Sequence, residues 1–207
     1  MASTLARVPL TVYCASARGV DGAHLEAARH FGAELGRTGF DLVYGGGGIG
    51  LMGELARSAQ AAGARVTGVI TEQFLSLEQG WRGCDELLVV SSMSERKKEM
   101  EERARAFAIL PGGLGTYEEF FEMLVGRVIG RHTKPIGLLN VQGYFNPLVT
   151  LLDHGVEQGF VRKGARDLVD CASDSATLLA TLRRALEAPP EAAHDPRRML
   201  PMHGPHG

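Results

Sequence analysis

Cysteine is scarce in this sequence. Cys14, Cys84 and Cys171 are an odd number, widely spaced and without a C-x-x-C pair. That excludes a disulfide framework and a zinc site of paired thiolates, and it suits free thiols in a reducing cytoplasm. Charge of one sign is lacking too: 22 Lys and Arg against 24 Asp and Glu leave a net −2. With a pI near 6.4, the chain gives no reason to expect a nucleic-acid partner. No stretch approaches the ~18 continuous apolar residues of a membrane span. Neither glycine-rich segment leads into the Gly-Lys-Ser/Thr of a Walker A loop, and there are no internal repeats. Segment 8-VPLTVYCASA-17 has the small residues of a signal-peptide cleavage site, but only Arg7 before it and Pro9 inside it. It reads as a first β-strand, and a cytoplasmic protein is expected.

What is present is a regular alternation. Apolar runs at 9–14, 41–44, 65–70, 86–90, 106–110, 135–140 and 168–170 read as strands. Between them, Leu25, Ala28, Phe31 and Leu35 form a helical stripe, with Gly39 as its stop. Leu51, Leu55, Ala59 and Ala62 form a second stripe; Tyr117, Phe120, Phe121, Leu124 and Val128 form a third. Continuous apolar strands alternating with amphipathic helices predict an α/β fold, its mostly parallel sheet of about seven strands covered on both faces. Residues 1–187 are expected to form one domain. In 188-APPEAAHDPRRMLPMHGPHG-207, proline, glycine and charge replace the periodicity. That segment reads as a flexible tail, and its histidines lack metal-ligand spacing.

Two glycine-rich loops carry the functional signal, 45-GGGGIGLMG-53 and 111-PGGLGTYEE-119. Each follows an apolar strand and opens a helix, the setting in which backbone N–H groups hold a phosphate. Gly45, Gly46, Gly47 and Gly48 allow close approach to a ligand, and Gly50 and Gly53 keep the next helix near the sheet. The alternative is a tight turn without a ligand. In the second loop Thr116 can N-cap the following helix, which puts Glu119 at N3 of a T-x-x-E capping box. Equally, Glu119 can stand at the mouth of a phosphate site as a catalytic carboxylate, with Glu118 a solvated neighbour. Between the loops, 92-SMSERKKEMEERARA-106 opens with a capping box from Ser92 to Glu95 and continues as a charged helix. Most of its charges fit a solvated face with pairs such as Glu99 and Arg103. Arg96 and Lys97 differ, because basic residues are unfavourable near a helix N-terminus unless an anion offsets them.

These motifs resemble the LONELY GUY (LOG) family, cytokinin riboside 5′-monophosphate phosphoribohydrolases that also carry the label lysine decarboxylase. The resemblance spans about residues 8–182. It rests on 111-PGGLGTYEE-119, matching P-G-G-x-G-T-x-x-E, and on 44-YGGGGIGLMG-53, with support from 93-MSERK-97, 134-KPIGLLNVQGYFNPL-148 and 155-GVEQGFV-161. It implies a Rossmann-like three-layer sandwich and a homodimer with its active site near the interface. It also implies hydrolysis of a nucleoside 5′-monophosphate to free base and ribose 5-phosphate, without metal or cofactor. The family's catalytic pair falls on Arg96 and Glu119. Gly45, Gly46, Gly47, Gly48, Gly50, Met93, Lys97, Gly112, Gly113, Gly115 and Thr116 would hold phosphate and ribose. There are departures: Ser94 replaces a histidine, Gly126 lies where a tryptophan is common, Arg105 replaces an aspartate, and 71-TEQF-74 replaces a Pro-Lys segment. These changes leave the base open. A hydrolase of another nucleotide, or a non-catalytic carrier of a phosphorylated cofactor, is the competing expectation. Lysine decarboxylation would need a Schiff-base lysine for pyridoxal phosphate, and Lys97, Lys98, Lys134 and Lys163 show no such setting.

Overall fold

The computed structural model describes residues 6–77 and 80–188. The predicted tail therefore lies, except for Ala188, outside the described residues. All seven predicted strands form: β1 (Val8–Tyr13), β2 (Phe40–Tyr44), β3 (Val66–Thr71), β4 (Glu86–Val90), β5 (Ala106–Ile109), β6 (Ile136–Leu139) and β7 (Val169–Ala172). They make one sheet in the order β4-β3-β2-β1-β5-β6-β7, and every pairing is parallel. Helical crossovers return each strand in the same direction. The strand order reverses between β1 and β5, and ligands in open parallel sheets bind at the carboxyl edge of such a switch point.

The helices divide between the two faces. On one, α1 (Gly22–Arg37), α2 (Gly50–Ala61) and α8 (Ser175–Glu187) close over Leu10, Val12, Leu42 and Tyr44, contributing Phe31, Leu35, Leu55 and Leu178. On the other, α4 (Met93–Arg103), α5 (Leu114–Val128) and α6 (Asn146–Glu157) close over Tyr13, Phe107, Ile109 and Leu138 with Met100, Phe120, Met123 and Leu152. Each such fully buried side chain stabilises the fold by roughly 1.5–3 kcal/mol. Two short helices, α3 (Glu72–Leu77) and α7 (Lys163–Arg166), complete the chain.

The site depends on where α2, α4 and α5 begin. Helix α2 is set by its contact with α1: a Cβ at Gly32 would lie 2.4 Å from the Leu55 carbonyl oxygen, so the two backbones touch. Helix α4 is tied to the central strand by Thr11, whose buried hydroxyl donates to the Met100 carbonyl at 2.9 Å. Helix α5 leaves β5 through Pro111–Gly113, and the Ala15 N–H bonds the Pro111 carbonyl at 3.1 Å. That bond joins the β1 and β5 exits, at the switch point.

Candidate active site

A cleft of about 320 Å³ opens at the carboxyl edge of the sheet. Residues Cys14–Ala17 after β1, Met52 of α2, Phe74 of α3, Met93 and Arg96 of α4, Gly113, and Gly115, Thr116, Glu118 and Glu119 of α5 form its walls. Arg96 and Glu119 sit on its floor, 5% exposed each, with Nη1 and Oε1 3.5 Å apart. That separation is an ion pair rather than a hydrogen bond.

Arg96 is held by backbone. Its Nε donates to the Val69 carbonyl at 2.9 Å and its Nη2 to the Gly45 carbonyl at 3.2 Å, while Nη1 lies 3.9 Å from the Met93 sulfur. Carbonyls leaving β3 and β2 thus fix the guanidinium plane, and the remaining edge faces Glu119. The capping box that starts α4 forms in part. The Ser92 hydroxyl accepts from the Glu95 N–H at 3.2 Å, but the Glu95 carboxylate turns to the Ser91 N–H and hydroxyl. Lys97 points away from the floor and spans α4 and α5, 2.6 Å from Glu118 and 2.9 Å from Glu122. Glu118 is therefore paired, not merely solvated, and it stands at the cleft's rim.

The second loop corrects the capping-box reading. Helix α5 starts at Leu114 with Gly113 as its N-cap, so Thr116 lies inside the first turn and Glu119 one turn further on. Glu119 therefore does not stand at N3. The N-cap residues of α5 and α2, Gly113 and Ile49, make no side-chain cap bond, whereas Asp21 caps α1 and Ser92 caps α4. The amides of Leu114, Gly115 and Thr116 have no intrahelical acceptor, and they carry the positive end of the helix dipole. At Gly113 and Gly115 a Cβ would meet nothing within 4 Å, so their bareness keeps the cleft open above those amides. Gly112 turns the other way. It packs against the Thr116 hydroxyl and lines an adjoining pocket of about 190 Å³ with His24 and Tyr144. The Tyr144 hydroxyl donates to the Gly112 carbonyl and receives the Tyr117 hydroxyl at 3.0 Å.

The first glycine loop works mainly from behind. Gly45 touches Arg96: a Cβ there would lie 2.1 Å from Nη2 and 2.9 Å from the Met52 methyl. Gly46 packs on β3, Gly47 bridges to Gly80, and the Gly48 carbonyl accepts from Arg57. Gly50 approaches Ser16 and Ala17, which brings the α2 start against the β1 exit. Of the predicted residues, Met93, Arg96, Gly113, Gly115, Thr116 and Glu119 line the cleft itself; the others lie behind or beside it. Sequence reasoning missed Ala15, Ser16, Ala17, Met52 and Phe74 as cleft walls, since no motif marks them. It also missed Tyr13, buried beneath the floor. Burial, and then the Glu119 charge, push its phenol well above the usual tyrosine range. Tyr13 stays protonated beneath the floor.

The family model described as "Possible lysine decarboxylase" matches residues 52–182. The cytokinin riboside 5′-monophosphate phosphoribohydrolase LOG of Oryza sativa subsp. japonica is 41% identical over 173 residues, 84% of this chain and 72% of that protein. LOG2 of Arabidopsis thaliana, which bears the same enzyme name, is 39% identical over 84% of this chain and 81% of its own length. The chain belongs to the LOG family. Among solved structures, the molybdenum cofactor carrier protein of Chlamydomonas reinhardtii superposes with a TM-score of 0.66 at 23% identity, covering 88% of this chain and 99% of that one. A molybdenum cofactor binding protein of Rippkaea orientalis gives 0.62 at 16% identity, over 86% and 96%. Those likenesses show the Rossmann-like fold alone.

Against the LOG-family motifs, the departures fall mostly outside the floor. Ser94 is exposed on α4, and Arg105 is exposed before β5. At Gly126 a Cβ would lie 2.8 Å from the Arg131 guanidinium, which covers that face of α5 and pairs with Glu101 at 3.0 Å. Only 71-TEQF-74 reaches the cleft, through Phe74.

Proposed function

We propose that this LOG-family protein hydrolyses the N-glycosidic bond of a nucleoside 5′-monophosphate, releasing free base and ribose 5-phosphate. One observation carries the reading: a buried Arg96–Glu119 pair lines the same cleft as a helix start whose N-cap is the bare Gly113. The first-turn amides of α5, with Gly113, Gly115 and Thr116, hold the 5′-phosphate by charge-assisted hydrogen bonds. Anchored there, the sugar places its anomeric carbon over the Glu119 carboxylate. Cleavage passes through an oxocarbenium-like sugar, whose positive charge a facing carboxylate stabilises. Glu119 also takes a proton from the attacking water, and the departing base nitrogen ends with that proton.

Arg96 acts through Glu119. Its Nε and Nη2 are committed to the Val69 and Gly45 carbonyls, so it is a fixed counter-ion that orients the carboxylate rather than a phosphate anchor. Fixing the reacting groups in advance is worth several powers of ten in rate. The relatives' names point to a cytokinin riboside 5′-monophosphate or an adenosine monophosphate-like substrate. The lysine decarboxylase label does not suit this cleft, because no lysine is among the described residues that line it. The nearest, Lys97, is bound to Glu118 and Glu122, so the residues do not fit pyridoxal phosphate.

The protein works as one domain over residues 1–187, in the cytoplasm, as a homodimer. Leu114, Val125 and Ile129 support the dimer. They are 87%, 53% and 52% exposed and share one stripe along α5 that starts at the cleft mouth. Sedimentation velocity should find a dimer that Val125→Glu splits; a monomeric wild type would count against it.

The activity is tested by incubating the protein with adenosine, isopentenyladenosine, cytidine, uridine and guanosine monophosphates and resolving free base by chromatography. Base release that Glu119→Gln lowers at least a thousandfold, at nearly unchanged melting temperature, is expected. Nucleotide binding by calorimetry without base release from any of the five would overturn the reading.

A further inference from the structure

The cleft has two chemically different ends. At one, the bare amides that open α5 face the space beside Gly113 and Gly115. At the other stand Met52, Phe74 and Met93, all apolar. The strands that lead to Gly113 and to Phe74, β5 and β3, are separated by β1 and β2. Three strand spacings, about 14 Å, leave room for a sugar between them. Arg96 and Glu119 occupy the floor in the middle: Nη1 of Arg96 is 3.9 Å from the Met93 sulfur on one side and 3.5 Å from Glu119 on the other. If the phosphate takes the α5 end and the anomeric carbon stands over Glu119, the base is left with Met52, Phe74 and Met93.

We propose that Phe74 is the specificity-determining residue of this cleft, its ring the platform on which the base of the monophosphate stacks. The proposal rests on the phosphoribohydrolase reading above. Aromatic stacking reads the face of a base, not its edge, and it grows with the planar area covered. Met52, Phe74 and Met93 offer no hydrogen-bond donor to a base edge, and Nε and Nη2 of the neighbouring Arg96 are turned to the Val69 and Gly45 carbonyls. Flexible methionines on both sides let the pocket adapt to bases of different outline.

Phe74 is placed deliberately by its local sequence. It is half-buried and its backbone N–H bonds the hydroxyl of Thr71 at 3.3 Å. Thr71 is the buried last residue of β3, so its hydroxyl pins α3 to the end of the sheet. Both residues lie in the T-E-Q-F segment that departs from the family pattern.

The test is calorimetric binding of adenosine monophosphate, cytidine monophosphate and ribose 5-phosphate to the Glu119→Gln protein, alone and combined with Phe74→Ala or Phe74→Tyr. Phe74→Ala should weaken adenosine monophosphate roughly tenfold or more and cytidine monophosphate about threefold, with ribose 5-phosphate within about twofold. Phe74→Tyr keeps the ring and should keep adenosine monophosphate within about threefold. Equal weakening of the nucleotides and ribose 5-phosphate by Phe74→Ala would make Phe74 a structural residue and overturn the proposal. An unchanged adenosine monophosphate affinity would overturn it as well. Failure of all three ligands to bind the Glu119→Gln protein, with no base released by the wild type, would sink the phosphoribohydrolase reading and this proposal with it.

Discussion

Replacing Gly45 by alanine adds one methyl group behind the floor of the cleft and nothing within it. The new Cβ would stand 2.1 Å from Nη2 of Arg96, and ordinary contact begins near 3.4 Å, so the guanidinium must retreat by about 1.3 Å. The Met52 methyl, at 2.9 Å, blocks a sideways escape until that side chain also moves. Gly45 does not occupy the left-handed region, so alanine is permitted there by its own backbone and the whole effect is the collision. Retreat breaks the 3.2 Å bond to the Gly45 carbonyl and swings Nη1 away from Glu119. Misplacing a catalytic group by about 1 Å costs on the order of a hundredfold in rate, or ~2.7 kcal/mol. Overpacking and one lost hydrogen bond should cost about 1–3 kcal/mol of stability, a fall of roughly 3–10 °C in melting temperature.

The assay is base release under saturating substrate, with the melting temperature measured in parallel. Gly45→Ala should lower kcat about a hundredfold while KM changes severalfold at most. Arg96→Ala should lower it at least as far, and the double variant should be no slower than Arg96→Ala, because the methyl then has room. A folded Gly45→Ala protein with kcat within threefold of wild type would refute the claim that the Gly45 carbonyl fixes Arg96. Additive losses in the double variant would show that Gly45 and Arg96 act separately.

Two further outcomes follow from contacts around the site. Tyr144→Phe removes the hydroxyl that holds the Gly112 carbonyl and receives Tyr117, whose own phenol is pushed up to about 12 by burial and by that bond. The loss of about 1 kcal/mol in the phosphate turn should appear as a KM raised roughly threefold to tenfold with kcat less affected; an unchanged KM would separate this tyrosine from phosphate binding. His132 is buried, with Nε2 donating to the Met123 carbonyl at 2.9 Å and Nδ1 accepting the Lys134 N–H at 3.2 Å. Burial lowers its pKa from 6.5 to about 4, so the unfolded chain binds a proton that the folded chain resists. The stability is complete above pH 6.5 and falls as the pH drops toward 4, by up to about 3 kcal/mol. Urea unfolding midpoints between pH 7 and 4 should show that slope, and His132→Asn should flatten it; an equal slope in both proteins would move the acid sensitivity elsewhere.

The strands were legible because a parallel sheet buried on both faces demands continuous apolar runs. β3 and β5 are buried along their whole length, and all seven predicted runs became strands with ends shifted by two residues or fewer. Helix α3 was not legible: six residues are too few for a helical period to show. The cleft walls were hidden for another reason. Ala15, Met52 and Phe74 follow three different strands and meet only because those strands are neighbours in the sheet. The Arg96 tether is of the same kind, since its acceptors Gly45 and Val69 lie 51 and 27 residues away. Local patterns cannot carry such contacts.

The T-x-x-E segment shows how one pattern supports two physical meanings. Had Thr116 been the N-cap, its hydroxyl would have taken an amide of the first turn, and Glu119 would have reached back to close the box. Gly113 instead takes the cap position with an extended backbone, φ −90 and ψ −155, and starts the helix three residues before Thr116 would have let it begin. A glycine cap satisfies no amide through a side chain, so this start costs the helix roughly a few tenths of a kcal/mol relative to a threonine or serine cap. The same choice frees those amides for a ligand and rotates Glu119 inward to Arg96. Substituting Gly113 by serine should therefore stabilise the protein while weakening phosphate binding. A variant that gained stability and kept its affinity for ribose 5-phosphate would show that the bare helix start has no part in holding the anion.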